Sequence, residues 1–238
     1  RSDLLDGNVL GFVERLWVGP MGEYPQAFAA AVGAWWWATG VGDPSDVTVR
    51  AVALVSLPVA ALATGRIAAR LNGGERGAAI EAWVTVLVLT VPLCNGLVRH
   101  FMPEGALMAV TALAVLSALR WADYPSWGRS VQLGAVLGLG VLTKQTFVLA
   151  AVLPVAWAVR HRVVRRPAMV VVVALTAGLL AGPWVFANLG PQWAYAGDSV
   201  AGHGSIAQWS HLSFYPRSIL LLGLGPVLSA GLLWAVAR

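Results

Sequence analysis

The chain has 238 residues, of which 58% are hydrophobic and only 11% are charged. Because soluble domains typically have about 25% charged residues, this composition excludes an ordinary soluble protein and predicts a polytopic membrane protein. The formal net charge of +5 does not indicate a nucleic-acid partner, since the arginines cluster in short segments between apolar runs. The single cysteine, Cys94, excludes a disulfide within the chain and argues against a thiolate metal site.

The first apolar run covers residues 26–39 and is too short to span a membrane comfortably. We predict a helix that lies at the membrane surface, with a short true span as the alternative. The sequence begins at Arg1 rather than Met and stops at Arg238, directly after an apolar run. We therefore expect a fragment of a longer protein.

Five later runs have roughly the 17–25 residues that a transmembrane helix needs. The predicted spans are residues 47–65, 77–98, 105–121, 167–187 and 218–237. Two shorter runs, 131–142 and 147–159, are separated by the polar residues 143–146. They predict two short helices that meet at a polar break, or a helix pair set low in a locally thin region.

Alternating these spans across the membrane collects most of the arginines on one side. That side holds Arg66, Arg70, Arg76, Arg120, Arg129, Arg160, Arg162, Arg165, Arg166 and Arg238. The rule that short cytoplasmic segments are rich in Lys and Arg makes it the cytoplasmic side. The opposite side then holds residues 1–46, a hinge at 99–104, the break at Lys144 and a loop at 188–217. Since the longer loops lie there, we expect function on that side.

The predicted fold is a single all-α domain, a polytopic transmembrane helix bundle with outer-face loops and a juxtamembrane helix. Its parts are an outer-face loop with the surface helix at 1–46, the bundle at 47–187, a second outer-face loop at 188–217 and a last span at 218–238.

Ionisable residues at a membrane boundary are candidates for a functional site. Arg99, His100 and Glu104 lie together in the hinge, although Glu104 also suits the positive end of the following helix as a cap. Lys144 is the sole lysine and lies between two apolar runs. It can act as a point charge for phosphate, or as a turn residue that reaches lipid headgroups.

Three further candidates precede the first span or lie near its start. Asp3 or Asp6 could act as a general base, and either could instead be a solvated loop acid or a helix cap. Arg50 could bind an anion with both arms of its guanidinium, or it could instead reach towards the interface or pair with Asp46.

The loop at 188–217 contributes Tyr195 and His203 as candidate substrate contacts. His203 and His211 invite a metal interpretation, which we discount because no third ligand with local spacing accompanies them. We predict no metal and no other cofactor.

The order of these features resembles the GT-C class of membrane glycosyltransferases, and most closely its dolichyl-phosphate-mannose–protein mannosyltransferase-like group. The stretches that carry the resemblance are Tyr24-Pro25-Gln26-Ala27-Phe28, then Arg50, then Arg99 to Leu107, and then the glycine-rich run from Gly134 to Thr143-Lys144, with Gly182-Pro183-Trp184 closing the next span. The family usually has an adjacent acidic pair after a first span. Here no such span precedes Asp3 and Asp6, and the two acids are not adjacent. The resemblance therefore implies a fragment that lacks the first span and the C-terminal part.

The resemblance implies an enzyme in the lipid bilayer of a bacterial plasma membrane, with its active site facing outside. It would transfer a hexose such as mannose from a polyprenyl-phosphate sugar donor to an acceptor glycan, lipid or protein, with inversion. The implied roles are Asp6 or Asp3 as the base, Glu104 as the group that orients sugar or acceptor, Arg99, Lys144 and Arg50 at the donor phosphate, and His100, His203 and Tyr195 as substrate contacts.

A transporter or flippase of lipid-linked precursors is the alternative, since it too needs outer cations and a hydrophobic groove. The charges lie near the predicted outer boundary rather than at the bilayer midplane, which favours chemistry on a lipid head. The sequence also has no visible internal repeat or inverted pair of broken segments, which are typical of transporters.

Overall fold

The computed structural model describes residues 46–73, 76–91, 104–144, 146–163 and 165–202, with the backbone alone at 46–53 and 191–202. These residues form α-helices and short connections, and no β-strand occurs among them. The predicted all-α class is therefore confirmed. The predicted surface helix at 26–39 and the predicted span at 218–237 lie outside the described residues.

Six helices lie in the described part of the chain. They are α1 (Asp46–Asn72), α2 (Gly77–Thr90), α3 (Glu104–Asp123), α4 (Trp127–Thr143), α5 (Phe147–Val159) and α6 (Pro167–Gly202). Three segments are long and apolar enough to cross a membrane: Leu54–Asn72, Glu104–Asp123 and Pro167–Gly190. The helices α2 and α5 are apolar but shorter. The chain is therefore an integral membrane protein built as a helical bundle.

Two helix ends differ from the prediction. The helix α2 ends at Thr90, because Val91 is extended and precedes Pro92, whose ring disfavours a helical conformation in the residue before it. The helix α6 continues to Gly202, so the predicted loop is wrong over residues 188–202. Hydropathy falls near residue 188, but the hydrogen bonds of a helix do not require contact with lipid.

The helices α4 and α5 confirm the two short helices predicted on either side of Lys144. The first begins after Ser126, whose hydroxyl accepts a hydrogen bond from the Arg129 N–H at 3.3 Å. It ends at Thr143, and Lys144 is extended with φ −162° and ψ 138°. The Phe147 N–H donates to the Lys144 carbonyl at 2.9 Å. The break thus satisfies part of its own backbone, as non-helical chain at membrane depth must.

Small residues allow α4 and α6 to cross closely. A Cβ atom on Gly134 would lie 2.5 Å from the Val173 carbonyl oxygen, and one on Gly138 would lie 2.9 Å from the Leu180 Cβ. This four-residue spacing of small residues is typical of close helix packing in membranes. Since the later glycine meets the later part of α6, the two helices run parallel. Elsewhere α1 packs against α2 and α3, and α3 packs against α4 and α5.

The two ends of the bundle differ in charge. At one end, which we call the arginine end, the last turns of α1 and α3 meet the start of α4. The residues that define this end are Arg66, Arg70, Arg120 and Arg129. At the other end, which we call the lysine end, Glu104 at the start of α3 meets Lys144 between α4 and α5. The predicted grouping of these four arginines is therefore present in the structure.

Candidate functional site

The polar centre of the lysine end is an ion pair. Lys144 Nζ donates a hydrogen bond to Glu104 Oε1. The two side chains are only 18% and 27% exposed, so both are largely withdrawn from solvent. The pair joins the α4–α5 break to the first residue of α3, across 40 positions of sequence. Two of the predicted site residues are thus in direct contact.

Local packing holds the backbone of Lys144 in place. Its N–H donates to the Gly140 carbonyl at 3.2 Å. The ring of Phe147 occupies the space that a Cβ on residue 140 would need, so glycine is required there. Phe147 is 2% exposed and packs in an apolar cluster with Val110 and Ala114 of α3. The break is therefore anchored by well-packed neighbours, and the ammonium group of Lys144 contacts Glu104.

The second oxygen of Glu104 is buried and has no hydrogen-bond partner among the described residues. Among the described residues, neither Glu104 Oε2 nor Thr111 Oγ1 has a hydrogen-bond partner, although both atoms are buried. Glu104 and Thr111 are seven positions apart, so they share one face of α3. Buried polar atoms rarely remain unpaired, because the loss of hydration is unfavourable. The ammonium at the lysine end is thus accompanied on α3 by a buried carboxylate oxygen and, two turns further along, a buried hydroxyl, neither with a described partner.

Two other predicted site residues are placed by their backbone alone. Arg50 lies near the start of α1, and Tyr195 lies in the last part of α6. The structure therefore places Tyr195 on a helix and not in the predicted loop. The predicted site residues outside the described part of the chain are Asp3, Asp6, Arg99, His100 and His203.

The described acidic side chains are engaged with cations. Glu104 pairs with Lys144, as described above. At the other end Arg66 Nε lies 3.3 Å from Glu81 Oε1, and Arg70 pairs with Asp123. Within the described ranges, no group of three or more His, Cys, Asp or Glu residues could hold a metal ion. What this part of the chain offers a substrate is fixed charge and hydrogen bonding.

The contact between Glu104 and Lys144 is the feature that the sequence does not reveal. The predicted topology puts both residues on one side and the resemblance implies separate roles for them, but neither indicates that they touch. Thr111 is a second residue that the sequence analysis does not single out. The spacing in the sequence could have identified it, because a residue two helical turns after Glu104 lies on the same face of α3.

The comparison with known families supports the resemblance inferred from the motifs. Residues 20–186, well over half of the 238-residue chain, match the family model described as dolichyl-phosphate-mannose-protein mannosyltransferase. Both residues of the lysine-end ion pair lie within this range. No curated protein and no solved structure gave a significant match. The chain therefore belongs to the dolichyl-phosphate-mannose-protein mannosyltransferase family, a family of membrane glycosyltransferases of the GT-C type.

Proposed function

We propose that the protein transfers a sugar such as mannose from a polyprenyl-phosphate-linked donor to an acceptor hydroxyl at the lysine end. The reaction inverts the anomeric centre and takes place on the non-cytoplasmic side of the membrane. The observation that carries the proposal is the Lys144–Glu104 pair, which joins a cation and a carboxylate at one end of the membrane-spanning helices. A donor held in the lipid phase presents its phosphate and sugar near that level.

Lys144 suits the leaving phosphate of such a donor. An ammonium is a compact point charge with three N–H donors, and one of them goes to Glu104 Oε1. The remaining donors can serve phosphate oxygens. Because the Lys144 side chain is only 18% exposed, water screens its charge weakly. It therefore stabilises the negative charge that develops as the bond between sugar and phosphate breaks.

Glu104 suits the sugar or the acceptor. Its Oε1 is bound to Lys144, while its buried Oε2 has no hydrogen-bond partner among the described residues. A hydroxyl that donates to this oxygen gains a charge-assisted hydrogen bond. Through Oε2 the carboxylate orients the sugar or the acceptor. Through Oε1 it positions the Lys144 ammonium for the donor phosphate.

Helix geometry brings Arg50 to the level of Glu104. Arg50 precedes Arg70 by 20 residues on α1, and Glu104 precedes Asp123 by 19 residues on α3. Arg70 and Asp123 form an ion pair at the arginine end. At 1.5 Å per residue, both starting positions lie about 30 Å from that end. This placement is consistent with the role of Arg50 at the donor phosphate.

The other assignments rest on the family resemblance. We assign Arg99, with Lys144 and Arg50, to the donor phosphate, Asp6 or Asp3 to the acceptor proton, and His100, His203 and Tyr195 to substrate contacts.

In the proposed step, the acceptor oxygen bonds to the anomeric carbon while the bond from that carbon to the phosphate oxygen breaks. The electron pair of the broken bond leaves with the lipid phosphate, and Lys144 stabilises the added charge. The acceptor proton passes to the carboxylate of Asp6 or Asp3. Attack from the face opposite the phosphate inverts the anomeric configuration.

The charge distribution supports the proposed orientation. The arginine end carries Arg66, Arg70, Arg120 and Arg129, whereas the described cations at the level of the lysine end are Lys144 and Arg50. Because Lys and Arg accumulate on the cytoplasmic side of membrane proteins, the lysine end is assigned to the opposite side.

The test is sugar transfer by the full-length protein from a radiolabelled polyprenyl-phosphate mannose, with the product identified by mass spectrometry. We expect Lys144→Gln to lower turnover by about 100-fold, as loss of one donor to transition-state charge typically does. The matched control is Arg66→Gln, which breaks the partly exposed pair with Glu81 towards the other end. Because exposed pairs contribute little, its turnover should stay within about twofold of wild type.

An exchange variant separates folding from chemistry. Glu104→Lys combined with Lys144→Glu keeps an ion pair between the same positions, so we expect near-normal thermal stability and no transfer. Wild-type turnover in folded Lys144→Gln protein, or full turnover in the exchange variant, would refute the assignment.

Asp6→Asn and Asp3→Asn, made separately, identify the base. If the full-length protein in proteoliposomes moves donor between leaflets and forms no glycosylated product, the flippase alternative holds instead.

A further inference from the structure

The arginine end carries more positive charge than its carboxylates balance. Its four arginines come from three different helices, α1, α3 and α4. Glu81 pairs with Arg66, and Asp123 pairs with Arg70. In the part of the chain that the structure describes, the other two arginines have no carboxylate partner. Two positive charges are thus uncompensated within a small region.

One of these two, Arg129, has a structural role. Its Nη1 donates to the carbonyl oxygens of Arg120 and Tyr124, each at 3.0 Å. Its guanidinium also lies 5.4 Å from the centroid of the Tyr124 ring. A cation that satisfies the last carbonyls of a helix stabilises its C-terminal end. The position of Arg129 is therefore explained by the end of α3.

Arg120 has no such explanation. Its side chain is partly buried, and none of the described residues gives its guanidinium a hydrogen bond or an ion pair. Three arginines, Arg70, Arg66 and Arg129, lie close enough to act on its charge, and the nearby carboxylate of Asp123 is already paired with Arg70. A partly buried cation among like charges is unfavourable unless an anion joins it. The arginine end therefore brings together the positive charge and the hydrogen-bond donors that an anion site requires.

We propose that the arginine end binds the phosphate of an anionic phospholipid, with Arg120 as the central contact and Arg70 and Arg129 beside it. A guanidinium matches two phosphate oxygens with two parallel hydrogen bonds. The last turns of α1 and α3 are ends of membrane-spanning segments, so the site lies at the level of lipid headgroups. Basic sites between such helices are suited to anionic lipid heads.

The aromatic residues at this end fit the same location. Tyr124 is 71% exposed and Trp127 is 57% exposed, and both lie in the connection between α3 and α4 or directly after it. Exposed aromatic rings with a polar edge are typical of the membrane–water interface. A phospholipid bound here would neutralise the repulsion around Arg120 and link the ends of α1 and α3.

The experiment compares lipid binding by purified full-length protein in a neutral detergent, measured by native mass spectrometry and by thermal unfolding. The probes are phosphatidylglycerol, phosphatidylcholine and inorganic phosphate. We expect phosphatidylglycerol to bind wild-type protein and raise its unfolding temperature, and phosphatidylcholine to do neither. Arg120→Gln should weaken phosphatidylglycerol binding about tenfold, the loss expected for one charge-assisted contact. Without lipid, it should unfold at the wild-type temperature or above, because a like-charge repulsion is removed.

The matched control is Arg160→Gln, which removes one positive charge after α5. The Arg160 guanidinium lies 4.5 Å from the Trp157 ring centroid and donates to the Trp157 carbonyl. We expect this variant to bind phosphatidylglycerol within about twofold of wild type, because the charge it removes is an exposed one. Equal losses in both variants would overturn the site in favour of diffuse attraction. If inorganic phosphate alone raised the unfolding temperature of the protein, the bound phosphate would not need to come from a phospholipid, and the proposal would be overturned. A lower unfolding temperature of lipid-free Arg120→Gln would assign Arg120 a structural role and overturn the proposal.

Discussion

Trp121 and Ser130 form a buried hydrogen bond that joins the end of α3 to the start of α4. Trp121 Nε1 donates to Ser130 Oγ at 2.8 Å, and the Ser130 hydroxyl donates to the Ser126 carbonyl at 2.9 Å. Trp121 is 1% exposed and Ser130 is 0% exposed. Both residues contribute to the packing beneath the arginine end. A polar contact at this depth is costly to break, because water cannot replace the lost partner.

Ser130→Ala is accordingly expected to lower the free energy of unfolding by about 1–3 kcal/mol, since it leaves the Trp121 N–H buried and unpaired. Thermal or denaturant unfolding of the full-length protein in detergent measures the change. The control is the same substitution in a Trp121→Phe background, where no indole N–H remains to be satisfied and the loss should be smaller. An equal loss in both backgrounds would contradict the role of this hydrogen bond.

The contact between α4 and α6 decides the architecture at the element scale. It depends on Gly134 and Gly138, where added side chains would overlap α6. Gly178, on α6, has no atom within 4 Å of an added Cβ. All three glycines lie inside helices, so their intrinsic effect on helix stability is similar and only the packing differs.

Gly134→Ala is expected to destabilise the protein by about 1–3 kcal/mol, because the new methyl group would force the two helices apart. Gly178→Ala should leave stability unchanged or raise it by up to about 1 kcal/mol, since alanine favours the helix and meets no atom. Parallel unfolding measurements on the two variants make the comparison. If Gly134→Ala were as stable as Gly178→Ala, the parallel crossing of α4 and α6 would be incorrect.

The length of α6 is a second feature of the element scale. Its 36 residues extend about 54 Å, whereas the hydrocarbon core of a bilayer is about 30 Å thick. Because α6 starts at the arginine end and runs parallel to α4, its final residues extend past the level of Lys144. The backbone of Tyr195 lies in that extension, on the same side of the bundle as the lysine end.

At the scale of the whole molecule, the bundle separates an arginine end from a lysine end. Thr146 is exposed beside the Lys144 break, and Tyr124 is exposed at the arginine end. With Cys94→Ser as the background, Thr146→Cys and Tyr124→Cys provide one thiol at each end. In intact cells, a membrane-impermeant maleimide should label Thr146→Cys directly and Tyr124→Cys only after permeabilisation. We expect this result because the excess of arginine orients the end that contains Tyr124 towards the cytoplasm. Labelling of both variants in intact cells, or the reverse order, would contradict the proposed orientation.

Much of the helical layout could be predicted from local sequence. The break at Lys144, the start of α6 at Pro167 and the grouping of Arg66 with Arg120 follow from hydropathy, proline position and alternating spans. The end of α6 could not be predicted in this way, because hydropathy reports contact with lipid and helix formation depends on backbone hydrogen bonding. The residues of the site could be assigned to a side of the membrane but not to partners.

Sequence information alone is sufficient to identify a membrane helix bundle, to assign it to a GT-C-type glycosyltransferase family and to group the arginines at one end. These properties depend on composition, periodicity and short motifs, which are local. The packed bundle is needed to see that Lys144 pairs with Glu104, that Arg120 lies near other arginines, and that Gly134 meets α6. The physical reason is that such contacts depend on the rotation and depth of each helix within the bundle. Packing of small residues across distant segments sets both quantities, and no single segment of the sequence contains them.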